Sequence, residues 1–213
     1  MTRRETSRCK IVKTATHDYS SHAAAVIVSG GVAAIPTETS YGLAVDPFNT
    51  RSLKHLFEIK KRPASKPVLV LIDDVDKLPN LVSEIPDVYK VLIQHFWPGP
   101  LTLIFPAVAD LPSMLTAGTA TIGVRISSNQ AAARICRRAG GAITATSANI
   151  SGEQPARTVA ELVRSLSGDI DLIVDDGDLG EALPSTILHY HDKKLIPVRE
   201  GGITLDRINE LLH

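Results

Sequence analysis

Short apolar runs alternate with amphipathic segments along most of the chain. The runs at 32–35 and 68–72 are bounded by glycine, proline or polar residues, which predicts buried strands. Segment 50–59 places Leu53 and Leu56 on one face at helical spacing and predicts a helix. The alternation of strands with helices predicts an α/β fold, and the paired strands near the C-terminus favour a twisted mixed sheet with flanking helices.

The same pattern predicts the other elements. Thr50 is expected to cap the helix at 50–59. Segment 36–43 is expected to be a polar turn between apolar runs, and 73–83 a loop with a brief turn. Further strands are expected at 10–13, 101–105, 121–126, 142–145, 171–174, 185–189 and 195–199, and further helices at 17–29, 86–96, 128–138, 159–166 and after Thr204.

Length and charge limit the class of protein. The chain has 213 residues, of which 44% are apolar, enough to bury a core. We expect a single domain over 1–213, with its core at about 15–205 and a polar lead-in at 1–14. Lys plus Arg equals Asp plus Glu at 23 each, so the chain is not a bulk binder of polyanions, and a nucleic-acid role would need a local basic patch.

Cysteine and histidine positions give no sign of a metal site or a disulfide framework. Cys9 and Cys136 lie far apart and match no zinc or disulfide spacing, which indicates a reducing compartment. His189 and His191 share one face of a predicted strand, but two histidines near a turn are more typical of a surface. Residues 2–8 lack an apolar segment after their charges, so we expect a cytoplasmic protein with no membrane partner.

The densest cationic segment is 60–67, which contains four cations and two prolines between a predicted helix and a predicted strand. Proline restricts the loop, so several positive groups can face one anion at little entropic cost. The segment is therefore a candidate phosphate site. The alternative is that Lys60 and Arg62 solvate the surface and stabilise the C-terminus of the helix.

Small polar residues follow two predicted strands, at 36–43 and at 146–152. Open α/β sheets bind ligands at the carboxyl ends of strands, and hydroxyls together with backbone N–H groups bind phosphate there. Capped turns would explain the same residues. Arg125 lies inside an apolar strand and needs an anionic partner, either a protein carboxylate or a substrate carboxylate.

Familiar nucleotide and hydrolase motifs are absent, since the chain contains no GxxxxGK(S/T), GxGxxG or GxSxG. Seven other blocks, taken in order, resemble the YrdC/TsaC family of threonylcarbamoyl-AMP synthases, in its single-domain form. The resemblance spans about residues 15–205 and implies a YrdC-like open fold with a concave basic cavity. The blocks are PTETSYGL (36–43), KKRP with KP (60–63 and 66–67), WPGPLT (97–102), TIGVR (121–125), TSAN with SG (146–149 and 151–152), PSTI (184–187) and Arg199.

The resemblance implies an enzyme that makes L-threonylcarbamoyladenylate and pyrophosphate from L-threonine, bicarbonate and ATP. Its product would supply downstream tRNA threonylcarbamoyltransferase proteins that modify adenosine 37 of tRNA, and contact with tRNA itself is a further expectation. Magnesium would arrive with ATP, held by phosphates and water rather than by a protein metal site. No covalent intermediate is needed, so catalysis would rest on proximity and electrostatics.

Site residues follow from the same match. The Lys-x-Arg and Ser-x-Asn motifs imply a catalytic set, and further matches imply a nucleotide set and a threonine set. Leu71 departs from the family pattern and makes a side-chain hydrogen bond to threonine from that position doubtful, and segment 154–157 matches too loosely to carry a ligand. The catalytic set is Lys60, Arg62, Ser147 and Asn149; the nucleotide set adds Lys66, Thr121 and Arg199; the threonine set is Thr39, Arg125 and Ser185.

Two other classes remain open at this point. The first is a nonenzymatic RNA-binding or ribosome-binding factor that uses the same basic concavity, although zero net charge and 4% aromatic residues weigh against it. The second is a carbamoyl-transfer relative that shares the fold but uses carbamoyl phosphate. Such domains normally occur beside zinc-finger and acylphosphatase segments, which are not recognisable in this sequence.

Overall fold

The computed structural model describes residues 9–166 and 168–212. Within them it contains seven α-helices, one 3₁₀-helix and eleven strands. The helices are α1 (Tyr19–Val28), α2 (Thr50–Lys60), the 3₁₀-helix (Val75–Asn80), α3 (Asp87–Phe96), α4 (Ser113–Thr116), α5 (Gln130–Arg138), α6 (Val159–Leu166) and α7 (Leu205–Leu212). The strands are β1 (Lys10–Lys13), β2 (Ala33–Pro36), β3 (Tyr41–Ala44), β4 (Val70–Ile72), β5 (Leu101–Pro106), β6 (Thr121–Arg125), β7 (Ala142–Thr144), β8 (Thr146–Ser147), β9 (Leu172–Asp175), β10 (Thr186–His191) and β11 (Lys194–Arg199).

The strands form two mixed sheets. The first has the order β1-β9-β2-β3-β8, with β1 parallel to β9 and β2 antiparallel to β3. The second has the order β11-β10-β5-β6-β4-β7, with β10 parallel to β5 and antiparallel to β11. The predicted mixed α/β class is confirmed, but its strands divide between two sheets because β8 pairs with β3 whereas β7 pairs with β4.

Asparagines cap two of the helices. The Asn49 side chain accepts hydrogen bonds from the backbone N–H groups of Arg51 and Ser52, so it caps α2. Asn129 caps α5 in the same way. The prediction that Thr50 caps the first of these helices is wrong by one residue, because a carboxamide oxygen in the residue before it reaches the free N–H groups of the first turn.

The polar turn predicted at 36–43 is only partly correct. Its second half, from Tyr41, is strand β3, which forms a hairpin with β2 in which Pro36 lies opposite Tyr41. All four residues of β3 are buried, so the strand shows no alternation of polar and apolar positions that would reveal it. The part of the predicted lead-in that falls on residues 1–8 lies outside the described residues.

The two sheets meet at Ala145, the residue between β7 and β8, where the chain leaves the second sheet and enters the first. The Thr144 N–H donates to the Val45 carbonyl, and the Val45 N–H donates to the Thr144 hydroxyl, which ties the two sheets together beside this crossing. Among the described helices, none has the length and apolar character needed to cross a membrane.

Candidate functional site

A cavity of about 410 Å³ lies where the two sheets meet, with walls from both. Ala145 contributes to its lining, together with residues of β3, β5, β6 and β10. Six of the residues predicted from sequence line it: Thr39, Arg62, Arg125, Ser147, Ser185 and Arg199. The other four, Lys60, Lys66, Thr121 and Asn149, are not among its lining residues in the described part of the chain.

Arg62 reaches the cavity from the loop that follows α2. Lys61 ends the helix in the left-handed region with φ 47°, which turns the chain so that Arg62 leaves the helix. The Arg62 side chain then donates from Nε to the Lys66 carbonyl at 3.2 Å and from Nη2 to the Pro67 carbonyl at 2.6 Å. The loop therefore folds around its own guanidinium, while Lys66 points to solvent as an exposed residue.

Lys60 is buried behind the cavity wall rather than exposed on it, with 1% of its surface accessible. Its ammonium donates to the Asn149 carbonyl at 2.9 Å, to Asn149 Oδ1 at 3.0 Å, and to the Ser147 carbonyl. Burial, with a smaller contribution from Arg62, lowers the pKa of Lys60 to about 7. The alternative of a solvated surface lysine is therefore wrong, because the ammonium is buried against oxygens of the protein.

The segment 147–151 forms a turn around that ammonium. Ser147 Oγ donates to Asn149 Oδ1 at 2.6 Å, and the Asn149 carboxamide donates to the Glu153 carbonyl at 2.6 Å. The Ser151 N–H donates to the Lys60 carbonyl at 2.8 Å. Ser147 lines the cavity, whereas Asn149 is 7% exposed and holds the turn from behind.

Arg125 has a protein carboxylate as its neighbour. Its Nη1 lies 3.3 Å from Oε1 of Glu38, and the two side chains are 4% and 14% exposed. The Ser127 hydroxyl donates to the other oxygen of Glu38, while Nε of Arg125 finds no acceptor among the described residues. Arg125 therefore has a protein carboxylate as its partner. It also lines the cavity and keeps N–H donors that Glu38 does not engage.

Glu38 was not among the site residues predicted from the sequence. The signal that could have found it is the need of a buried arginine for a carboxylate. Glu38 lies between two threonines of a block that follows β2, and the Thr37 and Thr39 hydroxyls beside it lie 3.0 Å apart. Both threonines line the cavity, so this segment supplies hydroxyls on one side and the partner of Arg125 on the other.

Arg199 and Ser185 form a second polar cluster. Arg199 donates from Nε to the Ser185 carbonyl at 2.9 Å and from Nη2 to the Ser185 hydroxyl at 3.0 Å. That hydroxyl lies 2.9 Å from Oγ1 of Thr102 on β5. Partial burial of the guanidinium, and next the charge of Arg125, lower the pKa of Arg199. Two guanidiniums that raise each other's electrostatic energy stabilise an anion placed between them.

Thr121 lies at the start of β6, at the opposite end of that strand from Arg125. Its hydroxyl is 2.8 Å from that of Thr119, so it is partly engaged by its own loop. Of this block the structure brings Arg125 to the cavity, and Thr121 is not among the lining residues.

Segment 154–157, onto which sequence reasoning placed no ligand, lines the cavity through Gln154, Pro155 and Arg157. Arg157 Nη1 lies 3.7 Å from Oε1 of Glu181, whose side chain is 96% exposed. An ion pair this exposed is weak, so the Arg157 guanidinium is readily available to an anion in the cavity. The segment has no regular secondary structure, and only the proximity of an arginine to the polar block at 146–152 could have indicated it.

The cavity offers guanidiniums and hydroxyls rather than ligands for a metal. Among the described residues there is no group of three or more His, Cys, Asp and Glu side chains that could hold an ion. Glu38 is already engaged by Arg125 and Ser127. The part of the chain that the structure describes therefore provides no fitting site for a resident magnesium ion, and the chemistry of the cavity is that of an anion-binding site.

A family model for Sua5, YciO and YrdC proteins, described as "Telomere recombination", matches residues 25–201. Two similar relatives are named threonylcarbamoyl-AMP synthase: a protein of Bacillus subtilis, 40% identical over 90% of this chain, and one of Pyrococcus abyssi, 33% identical over 89%. This chain spans 56% of the length of each. A protein of Idiomarina loihiensis with the same name is 36% identical over 76% of this chain, which covers 88% of that relative.

Solved structures agree with this similarity. The crystal structure of P. abyssi Sua5 complexed with L-threonine has a TM-score of 0.91 at 31% identity, covering 96% of this chain and 60% of that one. The crystal structure of E. coli YciO has a TM-score of 0.84 at 22% identity, covering 95% of this chain and 99% of that one. At that level of identity the YciO structure shows a common fold alone.

Proposed function

Since this chain belongs to the Sua5/YciO/YrdC family, we propose that it is a threonylcarbamoyl-AMP synthase, an ATP-using nucleotidyltransferase. It would convert L-threonine, bicarbonate and ATP into L-threonylcarbamoyladenylate and pyrophosphate. The observation that carries the proposal is one cavity in which guanidiniums and hydroxyls from separate sequence blocks converge. Relatives with that name, and a related Sua5 structure that contains L-threonine, support the choice of reaction.

The proposed chemistry proceeds without a covalent bond between the enzyme and an intermediate. Bicarbonate takes up a proton and releases water to give CO₂. The neutral amine of threonine then adds to the carbon of CO₂, so that an N–C bond forms and the nitrogen releases one proton to solvent. A carbamate oxygen then attacks the α-phosphorus of ATP, and the bond from that phosphorus to pyrophosphate breaks. The protein has to hold three reactants in line and balance the charge of the triphosphate.

We assign the nucleotide to Arg62, Ser147 and Arg199, with Lys66 and Thr121 retained as ligands on family resemblance alone. Arg157 is added because it lines the same cavity with a weak partner. Guanidiniums suit this task because they present several donors to phosphate oxygens and stay charged. Magnesium would enter with ATP, bound by phosphates and water, and it would help to neutralise the triphosphate.

Thr39, Arg125 and Ser185 are assigned to threonine. Glu38 holds the Arg125 guanidinium from one side, and the donors that remain on Arg125 can meet the carboxylate of threonine. Thr39 and Ser185 offer hydroxyls to the same cavity. Lys60 and Asn149 are implied by the resemblance to be direct contacts, and this proposal assigns them instead to support of the cavity wall, since both are buried and neither lines the cavity among the described residues.

The wider biological setting belongs to the same proposal. A cytoplasmic protein with one domain would release its adenylate to tRNA threonylcarbamoyltransferase proteins, which place the group on adenosine 37 of tRNA. Direct contact with tRNA is not required for this role, because the substrates of the proposed reaction are small molecules.

The test is to incubate the pure protein with ATP, magnesium, threonine and labelled bicarbonate, and to measure pyrophosphate and the labelled adenylate. Both products are expected to depend on threonine, and omission of threonine is the matched control. Absence of a threonine-dependent product would overturn the proposal. Equal turnover with serine would change only the substrate specificity, whereas product from carbamoyl phosphate would favour the carbamoyl-transfer class. Salt-sensitive RNA binding without synthesis would favour the RNA-binding class.

A further inference from the structure

Lys60 satisfies its ammonium entirely within the protein. An ammonium carries three N–H donors and no acceptor. In this structure three oxygens surround it: the carbonyls of Ser147 and Asn149 and Oδ1 of Asn149. All three are uncharged, and all belong to one turn. With 1% of the residue accessible, no donor remains for a phosphate in the cavity.

The same lysine also holds the turn through its backbone. Lys60 is the last residue of α2, and its carbonyl, one of those left free at the end of the helix, accepts the Ser151 N–H at 2.8 Å. Lys60 alone is thus hydrogen-bonded to the turn at residues 147, 149 and 151. Since Leu53 and Leu56 pack α2 into the core, these hydrogen bonds restrict the motion of the turn and of the cavity wall that it forms.

The direction of these hydrogen bonds matters for an anion site. The carbonyl oxygens of Ser147 and Asn149 carry partial negative charge and point at the ammonium, away from the cavity. If they were free to turn toward the cavity, they would repel a phosphate placed beside Ser147. The Ser147 hydroxyl is oriented by the same arrangement, since it donates to the Asn149 oxygen that Lys60 also holds.

We propose that Lys60 is a positioning residue, which fixes the 147–151 turn so that Ser147 faces the nucleotide, and that its ammonium makes no contact with the substrates. This inference rests on the proposed function, because it states how one wall of that site is organised. The proposal gives different roles to three cations of the same segment. Lys60 acts through the turn, Arg62 lines the cavity directly, and Lys66 is exposed to solvent.

The first test needs no enzymatic activity. The free protein is acetylated briefly with acetic anhydride at mildly alkaline pH, with and without ATP and magnesium, and each modified lysine is quantified by mass spectrometry. Exposed Lys61 and Lys66 are expected to react on the order of ten times faster than Lys60, and ATP should leave Lys60 unchanged. If Lys60 reacts as fast as Lys61 in the free protein, and ATP protects it, Lys60 is a direct ligand and the proposal is wrong.

The second test is a double-mutant cycle on kcat/KM for threonine-dependent pyrophosphate release. Lys60→Met and Ser147→Ala should each lower kcat/KM by about 10²-fold, and the double variant by little more, because both changes act through one turn. Lys60→Met combined with Arg199→Ala should multiply the two single effects, because Arg199 lies on β11 in the second sheet and makes no contact with the 147–151 turn among the hydrogen bonds of the described residues. Multiplicative loss in the first pair would overturn the proposal.

Matched variants keep the outcome interpretable. Lys61→Met removes one charge at the next, exposed position and should retain kcat/KM within about twofold. Lys60→Arg should not rescue activity, since the three oxygens enclose a compact ammonium rather than a planar guanidinium. A wild-type protein that makes no product would refute the proposed function, while the acetylation pattern would still decide the position of Lys60.

Discussion

Lys60 and Arg125 are both buried cations beside the cavity, yet their charges are balanced in different ways. Lys60 faces three uncharged oxygens, whereas Arg125 faces the carboxylate of Glu38. Burial lowers the pKa of both, but Glu38 opposes that effect at Arg125. Arg125 therefore belongs to a neutral pair, while Lys60, when it is protonated, adds a positive charge that only backbone and amide dipoles compensate.

This difference in charge compensation suggests different roles for the region behind Ser147 and for the Arg125–Glu38 pair. A charge compensated by dipoles leaves a positive field behind Ser147, where the proposal places the triphosphate. A charge compensated by a carboxylate gives an oriented set of donors with little net field, which suits a substrate carboxylate that must be placed rather than merely attracted. The two cations are thus expected to respond differently to substitution and to pH.

The largest effect is expected for Arg125→Ala. The change leaves the Glu38 carboxylate buried without its cation, which should lower the free energy of unfolding by about 3 to 5 kcal/mol in urea denaturation. Adding Glu38→Gln should recover part of that stability without restoring product formation. A loss below about 1 kcal/mol for Arg125→Ala would mean that the pair is not a buried ion pair in solution.

Lys60→Met should cost less, about 1 to 3 kcal/mol in the same urea experiment, because it leaves uncharged oxygens without donors rather than a bare charge. Lys61→Met is the matched control and should stay within about 0.5 kcal/mol of wild type. Equal losses for Lys60→Met and Arg125→Ala would remove the energetic distinction between the two sites.

The free energy of unfolding should depend on pH through Lys60. The pKa of Lys60 is about 7 in the folded protein and 10.5 ordinarily, so between these values the unfolded chain binds more protons than the folded one. Wild type should therefore gain stability relative to Lys60→Met as the pH rises from 7 toward 10, by at most about 1.4 kcal/mol per pH unit, and show no such trend below pH 7. Urea denaturation of both proteins at several pH values measures this; a difference that does not vary with pH would contradict it.

The smallest effect is expected at the cavity rim, where Glu181→Gln removes the partner of Arg157. Since the carboxylate is 96% exposed, thermal unfolding should change by less than about 0.5 kcal/mol. The affinity for ATP, measured by calorimetry, should stay equal or rise slightly, because the guanidinium loses a competing anion. A clear loss of ATP affinity would show that Glu181 orients Arg157.

Local patterns predicted most of the helices and strands because helical spacing and bounded apolar runs depend on neighbouring residues. Segment 50–59 is one example: the helix at Thr50–Lys60 follows from its apolar face. Strand β3 escaped prediction because both of its faces are buried, and the division into two sheets depends on which strands pair across long stretches of chain.

The candidate site shows the same limit. Six of the residues that family resemblance implied line one cavity. The resemblance did not reveal that Lys60 is buried against a turn 89 residues away in sequence, or that Glu38 would meet Arg125, since such contacts exist only in the folded chain. Arg157 was not predicted because segment 154–157 matches the family too loosely and has no regular secondary structure of its own.

Ala145 joins the two sheets as a single residue within the wall of the cavity. A ligand that contacts both Ser147 of the first sheet and Arg125 of the second would connect the two sheets a second time, next to the covalent connection at Ala145. A ligand that binds only when both sheets are in place makes local opening of either sheet less frequent. Amide protons in β3 and in β6 should therefore become protected from hydrogen exchange together when the ligand binds. The geometry makes the substrate itself part of what holds the two sheets in their relative orientation.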